Sequence, residues 1–291
     1  MIISNANSRL LSDRIAHRLG DELSVPEIRT FADGENYVRL KKPVSGKPVF
    51  IISSLFPDPD RRLVETLLMC DAARRGDAKE ISVVLPYFAY ARQDRAALEG
   101  EAISAGVVGS ALRAAGAGRI VTVEAHSGLA LKALAGTGGK VYDVKATDAI
   151  GAAVPALVGK VDFVVAPDHG NLYQAEAVAK ILGVDVCSFS KKRDHRTGEI
   201  STALDGNPSV RGADVVFVDD MISTGSTLAK AAAILRGRGA GKISAVCVHA
   251  LMVGKADELL RSSGIDRICG SDTVQNAYSE YSIAQEIADV L

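Results

Sequence analysis

The run Val215–Leu228 constrains the fold most, because it predicts a strand, a short loop and a helix in direct succession. Val215–Val218 is apolar throughout and predicts a buried strand, whereas the Ala-rich Leu228–Leu235 predicts a helix. Asp219 and Asp220 stand side by side at the carboxyl end of the predicted strand. Such a unit belongs in an α/β fold, in which helices cover a parallel sheet.

The loop of this unit has the composition of an anion-binding site. The backbone N–H groups and the dipole of the following helix favour a phosphate at this point. A glycine lets the backbone close tightly around the anion, and hydroxyls add hydrogen-bond donors. The residues concerned are Ser223, Thr224, Gly225, Ser226 and Thr227. An ordinary capped helix would explain the hydroxyls but not the adjacent acid pair, which suits ribose hydroxyls or a hydrated divalent cation.

Size, charge and cysteine spacing narrow the class of protein. The chain has 291 residues, enough for two domains, and a formal net charge of −1. That charge argues against binding of nucleic acid through bulk electrostatics, so a local site has to hold an anionic substrate. We expect a cytoplasmic protein with no signal peptide and no membrane span, since no apolar stretch is long enough. The four cysteines show no CxxC pairing, which favours buried free thiols over disulfides or zinc ligands.

A strand-and-helix rhythm continues along the rest of the chain. Predicted strands include Val49–Ser53, Phe163–Ala166 and Asp185–Phe189. Predicted helices include Arg9–Leu19, Arg62–Arg74, Ile103–Ala114, Tyr173–Leu182 and Ala256–Ser262.

Internal similarity indicates that this rhythm forms two domains of one fold. Leu112–His126 is identical to Leu235–His249 at 8 of 15 positions, and Asp71–Leu85 repeats the same helix–glycine–strand order. Local analogy between helix–strand units of any doubly wound sheet would give the same signal, so that alternative stays open. We predict an α/β fold of two similar doubly wound parallel-sheet domains, residues 1–142 and 143–291, divided after the glycine-rich turn at 136–139.

Three polar motifs lie in the first half, and each has a plain structural alternative. Phe31–Glu35 contains an Asp-Gly pair, which by itself predicts only a hairpin turn. Arg92–Asp94 follow a predicted strand end, where planar guanidinium groups suit polyphosphate and polar groups face a ligand crevice. His126 follows another predicted strand and has Glu124 nearby, which suits Mg²⁺ or phosphate, although a single histidine there is usually structural.

Two more motifs lie in the second half. Asp168 follows a predicted buried strand in an Asp-x-Gly sequence, which suits a metal contact beside a diphosphate loop. Ser190–Gly198 carries four formal cations, among them Lys191 and Arg193, and no apolar anchor. A mobile cationic lid over a polyphosphate and a solvated hairpin tip are the two interpretations of that segment.

Taken together, these motifs resemble those of the ribose-phosphate pyrophosphokinase family, in the family's order and along essentially the whole chain. They are Phe-x-Asp-Gly-Glu at 31–35, Tyr-Ala-Arg-Gln-Asp-Arg at 90–95, a strand-end His at 126, Pro-Asp-x-Gly at 167–170, Lys-Lys-Arg at 191–193 and Val-Asp-Asp-Met-x-x-Thr-Gly-x-Thr at 218–227. The last is the phosphoribosyl-pyrophosphate (PRPP) motif, which phosphoribosyltransferases share. Those enzymes normally have one such domain and lack the Arg-Gln-Asp segment, so that segment discriminates between the two.

The resemblance implies type I phosphoribosyltransferase-like domains, with the ATP side in the first and the ribose 5-phosphate side in the second. It implies transfer of the β,γ-diphosphoryl group of MgATP to the anomeric hydroxyl of ribose 5-phosphate, giving PRPP and AMP for nucleotide biosynthesis. It also implies Mg²⁺ as cofactor. Self-association as a homodimer, or as a hexamer built from dimers, is implied because in the family the segment matching Phe31–Glu35 completes a neighbouring subunit's adenine site.

By motif, the resemblance gives each candidate residue a role. ATP binding would fall to Phe31, Asp33, Glu35, Arg92, Gln93 and Asp94. Ribose 5-phosphate binding would fall to Asp219, Asp220, Ser223, Thr224, Gly225, Ser226 and Thr227. His126 and Asp168 would contact Mg²⁺, whereas Lys191 and Arg193 would be catalytic, acting on the transferring group from the lid.

Three positions depart from the family pattern. Glu124 replaces the commoner Asp before His126, and His169 and Asn171 replace the usual small residues after Asp168. Two rival functions are a phosphoribosyltransferase, which uses PRPP, and a catalytically silent regulatory subunit of a PRPP synthetase assembly. Lys191 and Arg193 argue against a silent subunit, because such a subunit needs no transition-state lid.

Overall fold

The computed structural model of the chain describes residues 1–193, 200–205 and 208–291, and the side chains of 191–193 and 200–202 also lie outside its description. The chain forms two compact units. The first consists of Met1–Lys145, Asp272–Gln275 and Ser282–Leu291, and the second of Ala146–Ser271 and Asn276–Tyr281. The second unit is therefore nested within the sequence of the first, a return of the chain that the sequence analysis does not anticipate.

The first unit is built on a parallel sheet. Its elements are β1 Ile2–Ser4, α1 Arg9–Leu19, β2 Leu23–Ser24, β3 Glu27–Thr30, β4 Asn36–Arg39, β5 Pro48–Ile52, α2 Pro59–Arg75, β6 Glu80–Leu85, α3 Ser104–Ala115, β7 Arg119–Val123, α4 Gly128–Ala135 and β8 Lys140–Val144. The strand order is β2-β1-β5-β6-β7-β8, with every neighbouring pair parallel. Strands β3 and β4 form a separate antiparallel hairpin.

The second unit repeats this plan. Its elements are α5 Thr147–Leu157, β9 Phe163–Ala166, α6 Leu172–Leu182, β10 Asp185–Arg193, β11 Ile200–Leu204, β12 Val215–Ile222, α7 Ser226–Gly237, β13 Ile243–Ala250, α8 Ala256–Ser262, β14 Arg267–Ser271 and β15 Ser279–Tyr281. The sheet order is β11-β10-β9-β12-β13-β14-β15, and β11 is antiparallel to β10, whereas the other pairs are parallel. The last helix, α9 Ala284–Ala288, belongs to the first unit.

The central strands of each sheet are buried on both faces, as the strands of parallel sheets are. In the first unit, Ile51 and Val83 on the strands pack in one cluster with Leu112 of α3 and Leu134 of α4. All eight residues of β13 are buried, which explains why its sequence is almost continuously apolar. This burial supplies the main force that holds helices on the sheets, at about 1.5–3 kcal/mol for each large aliphatic side chain.

Strand order confirms the predicted pair of similar doubly wound domains. Counting the parallel strands of each unit in chain order, both sheets have the order 2-1-3-4-5-6. The proposed match of Leu112–His126 with Leu235–His249 is nevertheless wrong, because it joins the fifth strand of one sheet to the fourth of the other. The true counterpart of Leu235–His249 is Asp71–Leu85, since β6 is a fourth strand as β13 is. The local analogy that the sequence left open accounts for the similarity.

The helices and the cysteines bear on two further predictions. Within the described ranges, no helix has both the length and the apolar character needed to cross a bilayer. All four cysteines are buried free thiols, as predicted. Burial raises the pKa of Cys70 to about 12 and that of Cys187 to about 11, so both thiols stay protonated and unreactive.

Candidate active site

In the second unit, the candidate residues gather where the strand order reverses. Strands β9 and β12 are neighbours, but the chain continues from β9 to one side of the sheet and from β12 to the other. A crevice opens at the carboxyl ends of such a pair and is the usual ligand site of doubly wound sheets. Asp168 follows β9, and Asp219 and Asp220 lie on β12.

The acid pair lies inside its strand, which corrects the sequence prediction. The strand does not end before Asp219, because β12 continues to Ile222 and keeps pairing with β13 as far as Ala250. The Asp219 residue is only 8% exposed. Its burial, and then the nearby negative charges of Asp220 and Asp168, raise the pKa of Asp219 well above the ordinary value.

The Asp168 loop is tied to this acid pair. An Asp168 carboxylate oxygen accepts a hydrogen bond from the Gly170 N–H at 3.0 Å and caps the short helical turn His169–Asn171. The Asn171 side-chain amide then donates to an Asp219 carboxylate oxygen at 2.5 Å. The two family departures in this loop are therefore well placed for structural roles, since Asn171 bonds the acid pair and His169 lies beside Asp205.

The hydroxyl-rich loop joins β12 to α7 in a fixed geometry. Helix α7 begins at Ser226, earlier than predicted, and its N-cap is Gly225, which has φ of +74°. A Cβ at Gly225 would lie 2.9 Å from Leu260 Cγ, so both the dihedral angle and the packing require glycine. The N-cap thus has no side chain of its own, which weakens the alternative of an ordinary side-chain-capped helix. Thr224 and Ser226 are exposed at the start of the helix, beside Ser223 and Thr227.

In the first unit, the Arg92 loop and the His126 turn follow the adjacent strands β6 and β7. An Asp94 carboxylate oxygen accepts a hydrogen bond from the Ser127 hydroxyl at the start of α4. The Gln93 side-chain oxygen accepts another from the Ser104 hydroxyl at the start of α3. The first bond joins the two loops and the second joins the Arg92 loop to α3, whereas Arg92 and His126 are exposed.

A charged network that the sequence analysis missed supports the His126 turn. Asp143 accepts hydrogen bonds from the Thr122 hydroxyl at 2.8 Å and from the Ala125 N–H at 2.9 Å. Lys145 lies 2.7 Å from Asp143 and 3.1 Å from Glu124, which has an unusual positive φ of +39°. Burial lowers the pKa of Lys145, but the hydrogen bond and charge of Asp143 and the charge of Glu124 outweigh it and raise the pKa.

The equivalent crevice of the first unit, between β1 and β5, is filled by its own polar side chains. The Ser53 hydroxyl accepts hydrogen bonds from Asn5 at 2.9 Å and from Thr66 at 2.8 Å. The Ser54 hydroxyl donates to the Thr273 carbonyl at 2.7 Å. All five residues are at most 1% exposed. The polar run Ser4–Ser8 and the Ser53-Ser54 pair are the sequence signals that would have pointed to this cluster.

The Phe31–Glu35 segment forms the turn of the β3–β4 hairpin, as its Asp-Gly pair predicts. The Phe31 N–H donates to the Glu35 carbonyl at 2.8 Å, and the Glu35 N–H donates to the Asp33 carboxylate at 3.2 Å. Phe31 is 47% exposed and makes an edge contact with Tyr37, over which Arg29 lies at 4.4 Å. An exposed aromatic ring thus lies in a turn that is closed by hydrogen bonds.

The lid prediction falls mostly on residues outside the described part of the chain. The backbones of Lys191 and Arg193 belong to β10, which extends past the predicted end at Phe189 and pairs with β11. Their side chains and residues 194–199 lie outside the description. The catalytic role of Lys191 and Arg193 therefore stays a prediction.

Both units of the chain match the models of known protein families. A family model described as the N-terminal domain of ribose phosphate pyrophosphokinase matches residues 1–116, and the phosphoribosyl transferase domain model matches 146–282. The ribose-phosphate pyrophosphokinase of Methanothermobacter thermautotrophicus is 35% identical over 100% of this chain and 99% of its own length. That of Sulfolobus acidocaldarius is 34% identical over 97% and 96%. The chain belongs to the ribose-phosphate pyrophosphokinase family.

A solved member of this family has the same fold. The phosphoribosylpyrophosphate synthetase of Mycobacterium smegmatis matches with a TM-score of 0.85 and 31% identity, covering 100% of this chain and 96% of that structure. Because the match spans both units, a phosphoribosyltransferase of one domain is not favoured. The two-unit plan is thus a property of the ribose-phosphate pyrophosphokinase family.

The predicted Mg²⁺ residues belong to different units, His126 to the first and Asp168 to the second. Within the ranges the structure describes, no group of three or more His, Cys, Asp or Glu residues is arranged to hold a metal alone. Mg²⁺ in proteins is commonly bound through only one or two carboxylates together with substrate phosphates.

Proposed function

We propose that this chain transfers the β,γ-diphosphoryl group of ATP to the anomeric hydroxyl of ribose 5-phosphate, giving PRPP and AMP. The observation that carries the proposal is the crevice between β9 and β12, where Asp168, the acid pair and the hydroxyl loop meet. Family membership along the whole chain supports the same reaction.

Ribose 5-phosphate would bind across that crevice. The 5-phosphate would accept hydrogen bonds from the backbone and hydroxyls of the loop from Ser223 to Thr227, at the positive end of α7. The ribose hydroxyls would donate to Asp219 and Asp220. Since Asp219 is buried and held by Asn171, it offers a carboxylate whose position is fixed before substrate arrives.

ATP would be held by residues of the first unit. Arg92 is exposed beside the fixed Gln93 and Asp94, and its planar guanidinium suits a pair of phosphate oxygens. The exposed ring of Phe31 would stack on adenine, with Asp33 and Glu35 in the same turn. In keeping with the family pattern, we propose that this turn serves a neighbouring copy in a homodimer or in a hexamer of dimers.

Catalysis would rest on positioning and charge neutralisation rather than on a general base. Lys191 and Arg193 would stabilise charge that develops on the transferring group. Mg²⁺, when bound with ATP near His126 or Asp168, would supply further neutralisation of phosphate charge. A cytoplasmic location is part of the proposal, because all four cysteines are free thiols.

The decisive experiment supplies ATP, ribose 5-phosphate and Mg²⁺ to the purified protein and measures AMP and PRPP. We expect equal amounts of both products, and no AMP when ribose 5-phosphate is left out. A protein that instead consumes PRPP with a free nucleobase is a phosphoribosyltransferase. A pure, folded, Mg²⁺-replete preparation that binds ATP and yields no AMP is a silent regulatory subunit.

A further inference from the structure

We propose that Asn171 is a positioning residue, which holds the Asp168 loop and the buried carboxylate of Asp219 in register for ribose 5-phosphate. The inference rests on the function proposed above. It gives a role to a residue that departs from the family pattern. The site consists of the loop Asp168–Asn171 and the acid pair Asp219-Asp220, all within the second unit.

Asp219 lies in negatively charged surroundings. Its carboxylate is buried and faces the negative charges of Asp220 and Asp168. A buried carboxylate needs hydrogen-bond donors, because an unpartnered buried charge is costly. Asn171 supplies a donor at 2.5 Å without adding charge of either sign. A carboxylate at this position would increase the repulsion, whereas a lysine would take the place of a cation or substrate hydroxyl.

The loop from Asp168 to Asn171 is held at both of its ends. Asp168 and Asn171 are separated by a single short helical turn, and the Asp168 side chain caps that turn through the Gly170 N–H at 3.0 Å. One end of the loop leaves β9, and the other is bonded to a strand 48 positions further along the chain. The pairing of β9 with β12 already brings Asp168 close to the acid pair, and the bond from Asn171 to Asp219 fastens the far end of this short turn to β12.

A second side-chain contact of the same loop is made by His169. His169 Nε2 lies 3.8 Å from an Asp205 carboxylate oxygen, and the two side chains are 64% and 35% exposed. Exposed pairs of this kind contribute little. Asp205 is also already bonded by the hydroxyls of Ser188 at 2.9 Å and Ser190 at 2.6 Å. The bond from Asn171 to the buried carboxylate of Asp219 is therefore the stronger anchor of the loop.

The test compares Asn171→Ala with a matched control, Asn276→Ala. Asn276 donates its side-chain amide to the Ala250 carbonyl at 2.6 Å and accepts from the Tyr278 N–H at 2.9 Å in the same unit, so Asn276→Ala removes side-chain amide bonds that involve neither Asp168 nor the acid pair. Ribose 5-phosphate affinity is measured by calorimetry without ATP, and the Michaelis constants for both substrates are measured in turnover. We expect Asn171→Ala to lower the affinity for ribose 5-phosphate about ten- to a hundredfold, as loss of a hydrogen bond to a charged group does. The Michaelis constant for ATP should be nearly unchanged.

Two further variants connect the effect to its cause. Asn171→Asp keeps the size of the side chain and adds negative charge, so it should lower the affinity for ribose 5-phosphate more than Asn171→Ala does. In an Asp219→Asn background, Asn171→Ala should have a much smaller effect, because the buried charge that needed the donor has gone. His169→Ala should change the affinity by less than about twofold.

Equal effects of Asn171→Ala and Asn276→Ala on thermal stability and on ribose 5-phosphate affinity would overturn the inference, since Asn171 would then be merely structural. Additive effects of Asn171→Ala and Asp219→Asn would overturn it as well. If Asn171→Ala does not fold, the isosteric Asn171→Asp carries the same test. A wild-type protein that makes no AMP would contradict the proposed function, whereas an active wild type with an unaffected Asn171→Ala contradicts only the role of Asn171.

Discussion

Gly109 of α3 lies directly against the backbone of Leu134 in α4, and replacing it with alanine should separate the two helices. A Cβ at this position would lie 2.0 Å from the Leu134 carbonyl oxygen and 2.8 Å from the Leu134 carbonyl carbon. Ordinary contact begins at 3.4 Å, so the helices have to move apart by more than an ångström. The same carbonyl accepts a hydrogen bond from the Arg113 guanidinium at 2.5 Å, and that bond is lost in the movement.

The expected cost follows from three effects. Overpacking a well-packed contact costs about 1–3 kcal/mol. Loss of a hydrogen bond to a charged group costs about 1.5–3 kcal/mol. Alanine in a helix is more favourable than glycine by about 1 kcal/mol, which offsets part of the loss. We therefore expect Gly109→Ala to lower the free energy of unfolding of the first unit by about 1.5–5 kcal/mol.

Gly106 provides the matched control, one turn earlier in α3. A Cβ there would lie 3.5 Å from the Ala133 carbonyl oxygen, which is ordinary contact. Gly106→Ala should therefore keep the gain in helix propensity and raise stability by up to about 1 kcal/mol. The same glycine-to-alanine change should thus have opposite signs at two positions of one helix.

Denaturant unfolding gives the two free energies, and amide hydrogen exchange over residues 104–115 locates the effect in α3. Activity supplies a second measurement, because Ser104 and Ser127 at the starts of α3 and α4 hold Gln93 and Asp94. Gly109→Ala should weaken ATP binding and leave the affinity for ribose 5-phosphate unchanged. A Gly109→Ala protein as stable as Gly106→Ala would refute this account of the helix contact.

Three other predictions concern the sites. Burial and neighbouring charges raise the pKa of Asp219, so the ionised carboxylate destabilises the substrate-free fold. The stability that the protonated carboxyl contributes is present below pH 3.8, the ordinary pKa, and is lost as the pH rises through the folded-state pKa. Asp219→Asn should therefore unfold at higher denaturant concentration than wild type at pH 7, with the gap closing toward pH 4, and an unchanged gap would contradict the assignment. Calorimetry should give one ribose 5-phosphate per chain, because Ser53 and Ser54 fill the corresponding crevice of the first unit, and a stoichiometry of two would disprove that. Lys191→Ala and Arg193→Ala should each lower kcat about 10²–10³-fold with little change in either Michaelis constant, and near-normal kcat in both would remove the lid from the mechanism.

The sequence predicted the repeating units well because their signals are local. Helix Arg9–Leu19 has the predicted bounds, since Gly20 ends it in the left-handed conformation. Strand β12 was predicted too short, because charged residues normally mark a strand end, whereas here Asp219 remains in the ladder. The bond from Asn171 to Asp219 joins residues 48 positions apart, and the Lys145 network joins two strands. Long-range partners of this kind depend on how the strands are ordered, which no local pattern reveals.

The return of the chain to the first unit has a consequence for how the protein is made on the ribosome. Buried Asp272 accepts hydrogen bonds from Arg14 at 2.7 Å and from the Ile283 N–H at 3.0 Å, and Thr273 receives the Ser54 hydroxyl. The unit whose first strand is synthesised earliest therefore acquires its last partners only after nearly 280 further residues have been translated. The last residue of the second unit is Tyr281, so all of its residues are translated before the Ser282–Leu291 segment of the first. Translation order and completion order are thus reversed, and a fragment cut after Lys145 would lack partners that Arg14 and Ser54 use in the full chain.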